Sequence, residues 1–523
     1  MVDAVTGAGA SRRRIGVANA GLTSLLLILF LTFLDNTVIS AVLANVQAQL
    51  HCGVAALQWI VGGYALAFAS LMLICGAMGD NYGRRRLMVI GLVVFCAGSV
   101  LCAMATSSGM LIAGRVVMGA GAAASEPGTL SMIRHIYPES RHRARALGAW
   151  AAVSGLALAI GPVLGGVLTG IWSWRAIFWF NVVFGIVAIV LARATLPESS
   201  DPSRVRPDYR GFFLLAVALG AATYATISGE SSGYLASGPD LLFAVSLLSL
   251  GVFFVVEHRA RQPMLLIEFF KRPAFAGSNF VALTSYFSIL SIFFFVALYL
   301  EIVASAGAYQ LAQDFLPLLG GMVIASIVSG RWVGWAGSRI PMTVGCAVAA
   351  LGVFLTDLRI SPHAGLLAVG WTMGIAGIGF GLLVVPVTSS ALVSVPAEHS
   401  SMAASMTNTS RELGAVAGVA ILGSVVNGQL TVQLTQRLIQ IGVPVAYRNE
   451  VITAVTTGTI SARIKGLGHT TAAVQAIINK VVAAAYSAFR HGLDLALISS
   501  TVLLVISAVV AYSTGTSGGD ELV

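Results

Sequence analysis

The chain has 523 residues, of which 57% are hydrophobic and only 10% charged, and its mean hydropathy is +0.88. An ordinary soluble domain carries about 25% charged residues, so this composition excludes a soluble protein with a conventional polar surface. The formal charge of +9 would suit a nucleic-acid-binding protein, but the arginines lie in short segments between apolar runs. That arrangement indicates an all-α integral membrane protein whose basic loops fix its orientation.

Apolar runs long enough to cross a bilayer, about 20 residues each, predict fourteen membrane-spanning helices. In chain order they cover roughly residues 16–48, 57–79, 87–106, 111–133, 146–170, 176–193, 211–228, 240–256, 274–303, 311–330, 341–357, 363–388, 402–427 and 491–513. The first run is too long for the apolar region of a signal peptide, so we expect it to be retained as a span.

The order of spans and polar segments predicts three parts. They are an N-terminal six-helix bundle at 1–193, a linker with two extra transmembrane helices at 194–273, and a C-terminal six-helix bundle at 274–523 with a long external loop at 428–490. We interpret most of that loop as extensions of the last two spans beyond the bilayer, because its first part has amphipathic helical spacing.

A weak internal repeat accompanies this division. Gly76 and Gly83 flank the turn after the second span with the same separation as Gly330 and Gly337 after the tenth. Such repeats indicate related halves with a binding site between them.

Basic residues are concentrated in the short loops on one side. With the N-terminus inside, the inner loops hold Arg12–Arg14, Arg84–Arg86 and the arginines of 134–145, whereas the short outer loops hold Arg175 and Arg359. The positive-inside rule then predicts a multi-pass protein of the cell (plasma) membrane with both termini in the cytoplasm.

The loop after the second span reads GAMGDNYGRRR and holds Gly76, Asp80, Gly83, Arg84 and Arg85. Gly76 and Asp80 are one helical turn apart, and Gly83 permits a tight turn. An acidic side chain here can pair with an arginine or with a helix N-terminus, and such a contact can break and re-form when two halves of a protein rock. We therefore interpret it as a conformational-switch loop; a purely topogenic basic loop is the alternative.

Two membrane-embedded charges lie in the fourth span, GRVVMGAGAAASEP. Arg115 would cost about 2.5–3.5 kcal/mol to insert, so we expect it to face the protein interior rather than lipid, with snorkelling to the outer interface as the alternative. Glu126 follows on the same helix face, about three turns away. We hypothesise that it carries a second proton or attracts a cationic substrate; the alternative is a structural carboxylate satisfied by Arg134 or by a free backbone group.

The fifth span contains Gly148, Ala157, Gly161, Pro162, Gly165 and Gly166 in a fixed spacing. Gly161 and Gly165 form a GxxxG face that allows close helix contact, and Pro162 favours a kink.

The first span carries LDNTVISAVLANV, with Asp35 inside the apolar run. A carboxylate inside the membrane is costly to bury, so we take Asp35 as a candidate functional residue. Burial favours its protonated form and a nearby arginine favours its ionised form, which is the balance that a reversible proton carrier requires. The alternative is a structural pair of Asp35 with Arg115.

These motifs together resemble the major facilitator superfamily, and within it the fourteen-helix drug:proton antiporters of the multidrug efflux type. The loop from Gly76 to Arg86 resembles the family's G-x-L-A-D-R-x-G-R-K, with Asn81 in place of the first Arg. The fifth-span string resembles the antiporter signature G-x8-G-x3-G-P-x2-G-G, with Ala157 as the departure, and the first span resembles L-D-x-T-V-V-N-V-A-L-P-x-I. Residues Trp172–Val182 and Ser410–Gly423 extend the similarity to nearly the whole chain.

The resemblance implies a proton-coupled antiporter that exports drugs or other amphipathic, lipophilic or cationic molecules by alternating access, with Asp35, Arg115 and Glu126 in coupling or substrate binding. Export of an endogenous metabolite, antibiotic or lipid is the alternative. A membrane enzyme or a scaffold is less consistent, because the sequence has no HExxH, GxSxG or P-loop pattern and a scaffold would not need Asp35 and Arg115 in the membrane. We expect no metal, no cofactor, no ATP and no nucleic acid, with lipid, protons and the substrate as partners.

Overall fold

The computed structural model describes residues 2–137, 140–200, 208–232, 237–259, 267–302, 308–361, 366–396, 400–441 and 472–516, together with Val443, Arg448 and Ile452. The regular elements of these residues are helices. The first four spans run over Val2–Val38, Ile39–Val42 and Leu43–Leu50 (span 1), Val54–Tyr82 (span 2), Arg84–Ala103 (span 3), and Ser108–Ser125 with Pro127–Ile136 (span 4). Spans 5 to 8 are Ser140–Ile171, Arg175–Thr195, Tyr209–Ser232 and Ser237–Arg259.

A short 3-10 helix, Ile267–Lys271, precedes the second set of six spans. Span 9 consists of Pro273–Ser291, the π-helical turn Ile292–Val296 and Ala297–Ile302. Spans 10 to 14 are Ala308–Ala336, Arg339–Arg359, Leu366–Val393, Ser400–Ile441 and Ala472–Thr514. Of the predicted external loop at 428–490, residues 428–441 and 472–490 belong to the helices of spans 13 and 14, and most of the residues between them lie outside the described residues.

The predicted all-α fold with fourteen spans is confirmed. Among the described residues, thirteen stretches are long and apolar enough to cross a membrane, and the bent pair Ala152–Leu158 and Ile160–Ile171 provides the fourteenth. The bend of 40° lies just before Pro162, which has no N–H to donate and whose ring opposes the carbonyl of Leu158 four residues earlier.

Spans 1 to 6, the N-terminal half, pack largely on one another, as do spans 9 to 14, the C-terminal half. Two pairs join the halves along their length: span 2 packs on span 13, and span 5 packs on span 10. Spans 7 and 8 pack on each other, and span 7 also contacts spans 2 and 13 at the edge of this seam. The seam between the halves is therefore formed mainly by spans 2 and 5 on one side and spans 10 and 13 on the other.

The two halves repeat one turn in detail. Gly83 after span 2 and Gly337 after span 10 both have positive φ, 109° and 74°, a region that favours glycine. The next span begins beside each turn, where Arg84 N–H donates to Ser199 O and Arg339 N–H donates to Thr516 O, at 2.9 and 3.0 Å. In each half, the segment that follows the last span is therefore hydrogen-bonded beside the equivalent turn. Both turns lie on the face that carries Arg84–Arg86, called here the arginine-rich face.

The opposite face is closed between the halves. The 3-10 turn Ile39–Val42 and the helix Leu43–Leu50 of span 1 contact the end of span 9. All four residues of that turn are buried, as are all five of the π-helical turn Ile292–Val296 that it touches. Breaks in helical regularity on both sides of this contact are typical of sites where spans bend.

Candidate functional site

Asp35 is fully buried in span 1 and forms an ion pair with Arg115 of span 4. Its other oxygen accepts a hydrogen bond of 2.7 Å from the Asn181 amide of span 6. Each carboxylate oxygen therefore has one donor, and the charge of the acid is balanced inside the bilayer by the guanidinium. This arrangement offsets the cost of burying an ionised carboxylate.

Arg115 is held in place by span 2. Its Nε donates to the carbonyl of Ile60 at 2.9 Å, and its guanidinium carbon lies 4.4 Å from the centre of the Tyr64 ring. Small residues of span 4 allow this close approach: a Cβ on Gly119 would lie 2.3 Å from the Tyr64 carbonyl oxygen. The sequence placed Arg115 either inside the protein or at the outer interface, and the structure buries it completely.

The glycine face of span 5 is packed on span 1 directly beyond Asp35. A Cβ on Gly161 would lie 2.0 Å from Thr37 Oγ1, and one on Gly165 would lie 2.5 Å from the Val38 carbonyl oxygen. The Thr37 hydroxyl donates to the Leu158 carbonyl at 2.9 Å, which is the carbonyl that Pro162 leaves without its helical donor. The hydrogen bond from Thr37 to Leu158 therefore links the kink of span 5 to span 1, at a position two residues after the buried Asp35.

The remaining members of the predicted span-5 motif also lie in this helix. Ala157 and Gly166 are buried, and Gly148 belongs to the helix Ser140–Ile171. Ala157 occupies the position where the antiporter signature has glycine, and its side chain is fully buried.

A second set of polar residues crosses the seam between the halves. It consists of Asn36, Glu126, Asn408, Arg411 and Glu412, called here the inter-half cluster. Asn408 of span 13 donates to Glu126 Oε1 at 3.0 Å, and Asn36 of span 1 donates to Glu412 Oε1 at 3.1 Å. Asn408 and Glu412 are one turn apart and so lie on one face of span 13. Glu126 sits at the break between the two helices of span 4.

Arg411 belongs to the same cluster but points along span 13 into the C-terminal half. It donates to Asn408 Oδ1 at 2.9 Å and to Thr388 Oγ1 at 2.7 Å, and it lies 5.6 Å from the centre of the Tyr286 ring. Arg411 and Tyr286 also line a small cavity, whose other walls are mainly apolar side chains of spans 9, 10 and 12.

The loop on the arginine-rich face meets an acid that the sequence did not single out. Glu198, in the segment after span 6, accepts a hydrogen bond of 3.1 Å from the Arg85 backbone N–H. Its carboxylate lies 3.6 Å from Arg85 Nε and 3.7 Å from Arg86 Nε, and Arg84 donates to the Ser199 hydroxyl at 3.2 Å. A Cβ on Gly83 would lie 2.7 Å from Glu198 Oε1, so this contact also depends on glycine.

The structure thus brings together Asp35 and Arg115 but places Glu126 in a separate cluster with partners from span 13. Gly76 lines a small space beside Pro127 and Ser405, and the side chain of Asp80 lies outside the described residues. Sequence reasoning missed Asn181, Glu198, Arg411 and Glu412. Arg411 and Glu412 carried a usable signal, because they are charges inside an apolar run, as Asp35 is.

Within the described residues, no group of three or more His, Cys, Asp or Glu side chains is arranged to hold a metal ion. The chemistry available at the seam is instead that of buried acids, amides and guanidinium groups. A helical membrane protein with two repeated halves, a polar seam and a closed opposite face is a transporter by architecture.

Comparisons with known proteins agree with this class. Residues 25–419 match the description Major Facilitator Superfamily, and the chain belongs to that family of transporters. It is 30% identical to the drug efflux pump JefA of Mycobacterium tuberculosis, over 96% of this chain and 98% of that protein. It is also 30% identical to the multidrug resistance protein Stp of Mycobacterium tuberculosis, over 78% of this chain and 76% of that one.

A solved structure shares the fold. It is a bacterial homologue of the human lysosomal transporter Spinster in an inward-facing, unoccupied conformation. The two chains superpose with a TM-score of 0.60 at 19% identity, over 95% of this chain and 97% of that one. At this identity the similarity concerns the fold alone.

Proposed function

We propose that this transporter exports drugs or other amphipathic small molecules across the plasma membrane in exchange for protons, with Asp35 as a proton carrier. The observation that carries the proposal is the fully buried Asp35 carboxylate, balanced by Arg115 and Asn181 beside the seam between the halves. An acid so placed can be neutralised by a proton instead of by its arginine, and either state leaves no uncompensated charge on the acid. The drug-efflux names of its relatives support the direction and the kind of substrate.

The coupling would act through span 1. A proton on Asp35 removes its attraction for Arg115, which lies on span 4, while Thr37 ties the same turn of span 1 to the kinked span 5. Span 5 in turn packs on span 10 of the other half. Protonation is thereby connected to the seam along which the halves, residues 1–193 and 274–523, would rock.

The loop Gly76–Arg86 would serve as the conformational switch on the cytoplasmic side. We assign the arginine-rich face, and with it both termini, to the cytoplasm from the positive-inside rule. In this assignment Glu198 fastens the segment after span 6 to Arg85 and Arg86, and spans 2 and 3 carry that contact with them when the N-terminal half moves.

The number of protons exchanged for each cation determines which part of the proton gradient drives export. A one-for-one exchange of a monovalent cation with a proton moves no net charge, so the pH gradient alone supplies about 1.4 kcal/mol per unit, or tenfold accumulation. A second proton would add the membrane potential, worth about 2.3 kcal/mol per 100 mV.

A drug-susceptibility panel tests this function. A strain that carries the gene should tolerate several lipophilic compounds at higher concentrations than the same strain without it, and Asp35→Asn should remove the difference. Equal susceptibility to every compound would contradict drug export and would leave an endogenous metabolite, antibiotic or lipid as the class of substrate to measure.

A further inference from the structure

The two repeated turns on the arginine-rich face differ in how their arginines are neutralised. After span 2, the carboxylate of Glu198 lies 3.6 Å from Arg85 Nε and 3.7 Å from Arg86 Nε. At the end of span 10 the arginines are Arg331 and Arg339, and within the described part of the chain neither side chain forms an ion pair or donates a hydrogen bond. The second turn therefore carries two positive charges that the described residues do not balance.

The helices that form the second turn contain no acid of their own. Residues 325–350 are the adjoining parts of spans 10 and 11, residues 505–516 end span 14 and the segment after it, and both stretches lack Asp and Glu. A balancing negative charge must therefore come from the tail that follows, where Asp520 and Glu521 lie outside the described residues, or from the surroundings of the protein.

Two exposed aromatic side chains accompany Arg339. Its guanidinium carbon lies 4.3 Å from the centre of the Tyr512 ring, in the last turn of span 14. Tyr512 is 60% exposed, and Trp335, in the last turn of span 10, is 77% exposed. Trp and Tyr side chains concentrate at the headgroup level of a membrane, because their rings are apolar and their N–H or O–H groups are polar. The rings therefore place Arg339 at the height of the lipid phosphates.

The guanidinium of Arg339 is positioned by tight packing between helix ends. The Arg339 backbone N–H donates to the Thr516 carbonyl at 3.0 Å, and a Cβ on Gly515 would lie 2.7 Å from Arg339 Cα. A guanidinium that stacks on a ring by its face keeps its N–H donors in its own plane, and these donors match the oxygens of a phosphate in pairs. Arg339 is thus held in a form that suits a phosphate.

We propose that Arg331, Trp335, Arg339 and Tyr512 form a binding site for an anionic phospholipid, called here the lipid site. The lipid phosphate pairs with Arg339, Arg331 adds a second positive charge one helical turn before Trp335, and the two rings contact the glycerol region. In the assigned orientation the site faces the cytoplasmic leaflet, where basic pockets between membrane helices bind anionic headgroups. The lipid then supplies to the C-terminal half the negative charge that Glu198 supplies to the N-terminal half.

The exposed rings favour a lipid over the chain's own tail. A carboxylate of Asp520 or Glu521 would balance Arg339 without any need for aromatic side chains at this height. Trp335 and Tyr512 gain from a partner that brings apolar surface together with the negative charge, and a phospholipid has both. A zwitterionic headgroup is a poorer match, because its ammonium would repel the two arginines.

Native mass spectrometry of the purified full chain, titrated in detergent micelles with dioleoylphosphatidylglycerol or dioleoylphosphatidylcholine, measures the affinity of the first bound lipid. The native chain should prefer the glycerol lipid at least about tenfold, and Arg339→Gln and Arg331→Gln should each weaken its binding about fivefold. The double variant Arg331→Gln/Arg339→Gln should bind the two lipids with affinities within about twofold of each other.

The matched control is Arg359→Gln on the opposite face. Arg359 also lies near an exposed ring, 6.0 Å from the centre of Trp371, but Asp357 and Asp494 together with Arg490 leave its surroundings without excess positive charge. Its substitution should leave the affinity for the glycerol lipid unchanged. Arg331 is exposed and forms no described ion pair, so Arg331→Gln tests the site without disturbing the fold.

Thermal unfolding in nanodiscs provides the second measurement. In neutral phosphatidylcholine, each variant should melt at the native temperature, and added phosphatidylglycerol should raise the melting temperature of the native chain but not that of the double variant. Inorganic phosphate at millimolar concentration should not reproduce this rise.

Four results would overturn the inference. They are native lipid preference in the double variant, an equal loss of affinity in Arg359→Gln, an equal rise in melting temperature with inorganic phosphate, and tighter binding of the glycerol lipid after Asp520→Asn/Glu521→Gln. The third would identify a site for free phosphate, and the fourth would show that the tail occupies the arginines.

Discussion

The contact between Gly161 and Thr37 allows one substitution to be worked out in detail. In Gly161→Ala, the new methyl carbon would lie 2.0 Å from Thr37 Oγ1 and 2.9 Å from the Val38 nitrogen. Ordinary contact requires about 3.5 Å, so span 1 must move away from span 5 by roughly 1.5 Å or Thr37 must rotate. Both responses disturb the turn of span 1 that contains Asp35.

The free-energy costs of Gly161→Ala are larger than its gain, so the substitution should destabilise the protein. Overpacking costs about 1–3 kcal/mol, and rotation of Thr37 would leave the Leu158 carbonyl without its donor at a cost of about 1–3 kcal/mol. Alanine regains at most about 1 kcal/mol of helix propensity over glycine. We therefore expect a net loss of roughly 1–3 kcal/mol, together with at least a tenfold loss of proton-coupled transport, and a complete loss in Gly161→Leu.

The matched control is Gly170→Ala in the same helix, where a Cβ meets nothing within 4 Å. This variant should be at least as stable as the native protein and transport normally. The measurement is thermal unfolding of the purified protein, combined with pH-gradient-driven dye accumulation in everted vesicles. Native stability and native transport in Gly161→Ala would refute the claim that the glycine face of span 5 positions the turn that holds Asp35.

Three further predictions concern the two faces of the protein. A single cysteine at Ser200 should label from the inside only, and one at Gly468, which lies outside the described residues, should label from the outside; labelling of both from one side would contradict the assigned topology. Glu198→Gln should lower the melting temperature at low salt but not at high salt, because the ion pairs with Arg85 and Arg86 are partly exposed and worth at most about 1 kcal/mol. A decrease in melting temperature that is the same at high salt would indicate a packing effect instead. Burial raises the pKa of the Cys52 thiol above its ordinary value. At neutral pH, maleimide should therefore label Cys52 more slowly in the folded protein than in the unfolded chain, and the two labelling rates should converge as the pH rises. Equal labelling rates at neutral pH would contradict this burial.

Much of the fold follows from the sequence because the bilayer imposes a simple rule. Each span needs about 20 apolar residues, so the hydropathy of the chain predicts the number and order of the helices. The kink of span 5 is also predictable, because Pro162 cannot continue the hydrogen-bond ladder. The breaks in the α-helix at Ile39–Val42 and Ile292–Val296 cannot be predicted in this way. These apolar segments contain no residue that by itself predicts a break, and they bend in response to the neighbouring helices.

The site could be predicted only in part, since periodicity identifies residues on one helix but not their partners on another. Asp35 and Arg115 attract attention individually as membrane-embedded charges, and their contact depends on the approach of span 4 to span 2 at Gly119. Asn181 is a neutral amide in an aromatic span, so nothing in the sequence ties it to Asp35. The partner of Glu126 comes from the other half of the chain, 282 residues away at Asn408, and such pairing follows from packing of the halves alone.

Transport into proteoliposomes with an imposed pH gradient measures proton coupling at Asp35. The native chain should accumulate ethidium against its gradient, with protons moving in the opposite direction, and a gradient of one pH unit should support about tenfold accumulation for a one-for-one exchange. Asp35→Asn keeps the shape of the side chain but removes the exchangeable proton and replaces one acceptor oxygen with an N–H donor, so it should bind ethidium without accumulating it. Native accumulation by Asp35→Asn under the same gradient would contradict the account.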